Sequence, residues 1–239
     1  MRLSPLLLPV LVATAQLAQA QQASPEQSGA AGQSNLDALA TGAPAPLYLG
    51  RNDGVVGNPY VDARWLPGQL TTKNNTPLAV VPLKYDVFNH RILMRKHGTT
   101  DSLQLDDRYV TRFTLQVPAA GGMPARQRTF RRFTEAPLPN QSSDFVEVLH
   151  TGRYELLKHY VVHVRKAPAH TGYGVESKGA ELEDKSEYFL RRPNAQLVPV
   201  KLTSKSILAA APDLASALKS ASPKTELEWT NALQLADPR

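Results

Sequence analysis

Ten lysines and arginines stand against five acids in the 52 residues from Lys84 to Glu135, while the whole chain of 239 residues carries 27 against 21. The formal charge of +6 is therefore concentrated in one stretch. Within it, Arg108, Arg112, Arg128 and Arg132 recur at even spacings, so neighbouring strands would bring them to one sheet face. Guanidinium groups recognise phosphate and carboxylate through paired hydrogen bonds. Four on one face would make an anion site for a phosphate, a lipopolysaccharide or an acidic polysaccharide. The competing reading is a solvated strand face whose charges prevent edge-to-edge pairing. Nucleic acid is not an expected partner, because no RNP-like aromatic motif or helix-turn-helix pattern accompanies the charge.

The remaining reactive residues form weaker patterns. His159 and His163 have the spacing of a metal pair on a helix, but KHYVVHV reads as a strand. Four strand residues put them about 13 Å apart, whereas both nitrogens must lie within about 2.1 Å of a shared zinc. A hydrolase would have to assemble its site from scattered residues such as Asp144, His150 and His159. There is no G-x-S-x-G, and Ser216-Ala217-Leu218-Lys219 matches S-x-x-K without the S-D-N or K-T-G that accompany it. Glu181, Glu183 and Asp184 lack the EF-hand spacing, and no glycine-rich phosphate loop is present. The chain has no cysteine, which excludes disulfides, thiolate catalysis and iron–sulfur clusters. No catalytic residue, cofactor or metal is expected.

The elements that must position these groups are strands. In Tyr109–Val117 the residues Tyr109, Thr111, Phe113, Leu115 and Val117 alternate with Arg112, Thr114 and Gln116, and only Val110 is out of phase. Tyr154, Leu156, Tyr160, Val162 and Val164 predict one strand over 154–164, interrupted by Lys158. Ala79–Val87 gives another apolar row, followed by a tight turn at Asn89-His90 into a strand over 92–96. Residues 127–134, 145–150, 187–191 and 196–202 are further strands. Pro118–Pro124 and Ala167–Ser186 read as loops. Short alternating strands with short connections predict an antiparallel, meander-like sheet, curved or half-barrelled, that buries one face. After Thr203 the apolar period lengthens to that of a helix, with a break at Pro212 and a second start at Ser222-Pro223. The fold class expected is α+β, a mainly antiparallel sheet with two or three short C-terminal helices.

The chain opens with Arg2, an apolar run over Leu6–Leu17 and Ala18-Gln19-Ala20. That is the pattern of a secretory signal peptide cut after Ala20, and the run is too short to span a bilayer. Residues 21–46 are Gln, Ala, Ser, Gly and Pro with few large apolar side chains, as in a flexible tether. One domain is expected over 47–239, β-rich to 202 and helical from 203 to 236. Export without a cysteine at the new N-terminus implies a periplasmic or secreted protein with no lipid anchor and no membrane span.

Gly57-Asn58-Pro59-Tyr60 with Trp65 and Gly68, Val81–Asn89 (VPLKYDVFN), and the YFL, LVPV and KSIL passages near 187–208 together resemble a family of small exported β-rich proteins of Gram-negative bacteria. The resemblance spans roughly 57–235 with gaps, and it implies architecture and export but no activity. The function expected is a non-enzymatic binding or scaffolding module of the cell envelope. Its partner would be an anionic envelope component or another envelope protein. A periplasmic carrier of a lipid or other amphiphile is the alternative, and a hydrolase built on His150, His159 and Asp144 is the third.

Overall fold

A computed structural model describes residues 39–44, 55–75, 77–95, 98, 101–165, 180–218 and 221–238. The expected signal peptide, Lys96, Lys219, most of the expected tether and residues 167–179 of the expected loop lie outside the described residues. Fourteen strands are described: β1 (Ala40–Pro44), β2 (Val55–Val56), β3 (Leu66–Thr72), β4 (Val81–Asp86), β5 (Arg91–Arg95), β6 (Ser102–Leu105) and β7 (Val110–Val117); then β8 (Arg126–Arg132), β9 (Phe145–Thr151), β10 (Glu155–His159), β11 (Val162–Arg165), β12 (Ala180–Asp184), β13 (Glu187–Arg191) and β14 (Leu197–Val200). Helices α1 (Ser204–Ala210), α2 (Ala215–Leu218) and α3 (Glu226–Ala236) follow. Eleven strands form one sheet in the order β1-β6-β5-β4-β3-β7-β8-β9-β10-β13-β14, and its pairs are antiparallel. Strands β11, β12 and β2 make a small second sheet in which only β12–β2 is parallel. The α+β class is as expected.

The large sheet curls on itself. In the strand order, β4 and β9 are four places apart, roughly 19 Å on a flat sheet. Yet Phe145 N of β9 donates to the Tyr85 hydroxyl of β4 at 3.3 Å. Inside the curl, Phe113 and Phe130 stack at 4.6 Å with Tyr85 and Phe145 edge-on to Phe113, and Leu66, Leu70, Ile92 and Met94 complete the buried cluster. The β4–β5 turn is held by Asp86, which accepts from Asn89 N at 3.0 Å, Asn89 Nδ2 at 2.8 Å and Arg91 Nε at 2.9 Å. The Pro59-Tyr60 segment docks on this hairpin through Val61 N to Tyr85 O and Val87 N to Pro59 O. A Cβ on Gly68 would lie 2.6 Å from Thr114 O and 2.7 Å from a Leu83 methyl, so β3 approaches β7 closely only as glycine. The Pro59-Tyr60, Gly68 and Val81–Asn89 motifs are thus folding devices.

The helices cover the other end of the sheet. Ile207 and Ala210 of α1, Leu214, Leu218, and Trp229 and Leu233 of α3 pack on Leu156, Leu190 and Val200, and Trp229 Nε1 donates to Leu202 O at 3.1 Å.

Five local expectations are corrected. The strand over 154–164 is broken at Tyr160-Val161, because the β10–β13 ladder ends at His159↔Glu187 and β11 pairs with β12 instead. Val110 is buried and Tyr109 is 54% exposed. The register slips between Thr71↔Arg112 and Thr72↔Val110, so a bulge inverts the facing of that strand end. The chain joins the sheet before residue 47, since Ala40–Pro44 pairs with β6; likewise Ala180–Asp184, expected as loop, pairs with β11. Finally, α3 starts at Thr225, not Ser222-Pro223. The Thr225 hydroxyl accepts from Glu228 N at 3.2 Å while Glu228 accepts from Thr225 N at 3.3 Å, the reciprocal capping box.

Candidate anion-binding site

Three of the four arginines singled out by the sequence line one groove, and the fourth is elsewhere. Arg108, Arg112 and Arg132 border an open groove of about 700 Å³ together with Lys73, Arg131, Thr71, Asn75 and Thr134. It lies on the outer face of β3, β7 and β8. The β7–β8 register sets Arg112 directly opposite Arg131 and the β3–β7 register sets it opposite Thr71. Two guanidinium groups facing each other across a ladder repel unless carboxylates neutralise them.

The carboxylates are distributed unevenly. Arg131 donates to Glu135 at 2.9 Å and to Glu155 at 3.1 Å; burial works against its charge, yet these partners raise its pKa. Arg132 is a clamp: it donates to Val110 O at 3.0 Å and to the carbonyls of Asp107 and Ser143, and stacks 4.0 Å over Phe145. The Asp107 carboxylate is 3.5 Å from it, and burial raises the pKa of that acid. Arg108 is 79% exposed and holds Asp106 at 2.8 Å, a hydrogen bond that lowers the pKa of Asp106. Arg112 and Lys73 are both exposed. Among the described residues neither has a carboxylate partner, and the Lys73 ammonium only overlies the Tyr109 ring at 5.8 Å. The groove therefore presents two uncompensated cations, flanked by hydroxyl and amide groups that also donate to anions.

Arg128 and Arg132 share one phase of β8, but Arg132 sits at the strand end, where it reaches Val110 and Asp107, whereas Arg128 lies mid-strand against the core. Arg128 shares the inward face of Phe130 and is only 7% exposed. Its guanidinium makes two parallel bonds to Glu147 at 2.8 and 2.7 Å, and both residues meet the Tyr160 hydroxyl at 2.6 Å. Burial first, then the Glu147 charge, pushes the Tyr160 hydroxyl far above its usual pKa. Beyond it, Lys158 and Tyr188 both reach Glu226 of α3 at 2.7 Å. This closed network leaves no charge for a ligand. Arg131 takes the outward place that the sequence reading gave to Arg128, and Phe130 was the signal: its neighbours at ±1 must face opposite to it. Lys73 gave no such signal, because the bulge beside Thr72 decides where it points.

The histidines do two different jobs. His150 is buried with Nε2 3.3 Å from Asp237, which also accepts from Tyr154 N and Arg153 Nε; this pins the end of α3 to the β9–β10 turn. His159 Nε2 lies 3.0 Å from Asp144, whose other oxygen takes His90 Nδ1 at 2.9 Å. Among the described residues Nδ1 of His150 and of His159 has no hydrogen-bond partner, so neither ring is joined there to a hydroxyl, as a triad requires. His163 lines the same small pocket as His90, Asp144 and His159. Among the described residues no group of three or more His, Asp or Glu is arranged to hold a metal, and no helix is long and apolar enough to cross a membrane. No family model, curated protein or solved structure matches the chain.

Proposed function

We propose that this protein is a non-enzymatic binding module of the cell envelope that holds the anionic groups of an acidic polysaccharide in the β3–β7–β8 groove. The observation that carries the reading is the Arg112–Arg131 cross-strand pair, in which Arg131 is neutralised by Glu135 and Glu155 while Arg112, with nearby Lys73, has no carboxylate partner among the described residues. A carboxylate or phosphate of the ligand supplies the missing counter-charge. The leader-like N-terminus and the resemblance to small exported proteins support an encounter outside the cytoplasm, where such polymers are exposed.

The test is the salt needed to release the protein from immobilised heparin, used as a generic acidic polysaccharide. Arg112→Glu and Lys73→Glu are each compared with Arg165→Glu, which makes the same change in net charge at an exposed residue outside the groove. Exposed charges act over about 8 Å at physiological ionic strength, so a site effect and a net-charge effect separate. The groove variants should elute at clearly lower salt than Arg165→Glu. Equal elution of all three would refute the site.

A further inference from the structure

A second groove has different chemistry. It opens where β13 begins and β14 ends, has a volume of about 770 Å³, and is walled by Leu138, Phe189 and Leu202. Leu138 is 54% exposed and Phe189 is nearly buried, so an apolar side chain faces solvent at the rim of an apolar floor. A groove of this size, apolar with a few polar groups, is the form small-molecule sites take.

Three polar residues set its preference. Ser186 lines the groove, and its Oγ is shut off from solvent without a hydrogen-bond partner. A buried hydroxyl left so is costly and is relieved by an acceptor that reaches it. The Lys201 ammonium stands exposed in the same lining with no ion pair among the described residues. Glu187, the acid of the lining, is 55% exposed and lies 4.0 Å from His159 Nδ1. Lys201 is the cation of this lining and stands beside an apolar trough.

We infer that this groove binds an anionic amphiphile, its acyl chain against Leu138, Phe189 and Leu202 and its head group at Lys201 and Ser186. This is independent of the polysaccharide groove on β3, β7 and β8. It gives the carrier expectation an open trough at the sheet end in place of an enclosed cavity under the helices.

Calorimetric titration of the purified chain with sodium dodecanoate, kept below micelle formation, tests it. One equivalent should bind, with dodecanol and dodecyltrimethylammonium at least about tenfold weaker, since a charge-assisted contact is lost in each. Lys201→Glu and Leu138→Asp, both at exposed positions, should each weaken dodecanoate about tenfold or more, and Ser186→Ala by a smaller factor. Arg112→Glu should leave it unchanged, which separates this groove from the other. Unaltered circular dichroism and melting of each variant establish that the fold is intact. Absence of binding, equal binding of all three amphiphiles, or loss on Arg112→Glu in place of Lys201→Glu would overturn the inference.

Discussion

Asp144→Asn should unclasp the curled sheet. Asp144 precedes β9 and joins His90 of the β4–β5 turn to His159 of β10, at 2.9 and 3.0 Å, while only 7% of its side chain is exposed. Burial by itself would raise the pKa of this acid. The hydrogen bonds from His159 and His90, with their charges, outweigh burial and hold it at about 2, against 3.8 ordinarily. A depressed carboxylate contributes stability above its unfolded pKa and loses it as the pH falls through the folded value, here from about 4 to below 2. At 1.36 kcal/mol per unit the contribution at pH 6 is about 2 kcal/mol, and at pH 3 about half of that. For a domain of this size 1 kcal/mol moves Tm by roughly 2–4 °C, so Asp144→Asn should melt about 4–8 °C below the wild type at pH 6. His90 acts in the opposite sense: its hydrogen bond to Asp144 raises its pKa. Its contribution is therefore full below pH 6.5 and fades as the pH rises through the raised value. Thermal melts followed by circular dichroism between pH 3 and 8 read both effects. A variant melting within a degree of wild type at pH 6, or a deficit as large at pH 3 as at pH 6, would refute the reasoning.

Two further perturbations probe the frame that carries the grooves. Glu147→Gln leaves the buried Arg128 guanidinium without its counter-charge and should cost about 3–5 kcal/mol, whereas the double change Arg128→Met with Glu147→Leu should cost much less; urea unfolding of the three proteins compares them. Thr225→Ala removes one half of the α3 capping box and should lower stability by about 1 kcal/mol, seen as a small fall in the urea midpoint at constant slope.

The strands with two-residue alternation and aromatic inward faces, β4, β7, β8 and β9, were legible because their apolar phase matches the pleat. What escaped was decided by contacts distant in sequence. The bulge at Thr71-Thr72 set the facing of Val110 and Tyr109, and the end of the β10–β13 ladder broke the strand at Tyr160. Ala40–Pro44 has no apolar alternation, yet it pairs with β6, so it reads as tether in isolation. The groove was half legible: Arg112 was found by spacing, while Arg128 and Arg131 exchanged places because charge was counted ahead of the phase of Phe130. Capping at Thr225 was readable from Thr-x-x-Glu alone, but the Pro223 signal displaced it.

Arginine Nε–H signals, assigned by substitution and followed by NMR as an acidic oligosaccharide is added, test the central claim most directly. The Arg112 signal should shift saturably, with a smaller change at neighbouring Arg131 and none at Arg128, whose guanidinium is closed by Glu147 and Tyr160. An Arg112 signal that stays fixed while the oligosaccharide binds would contradict the account.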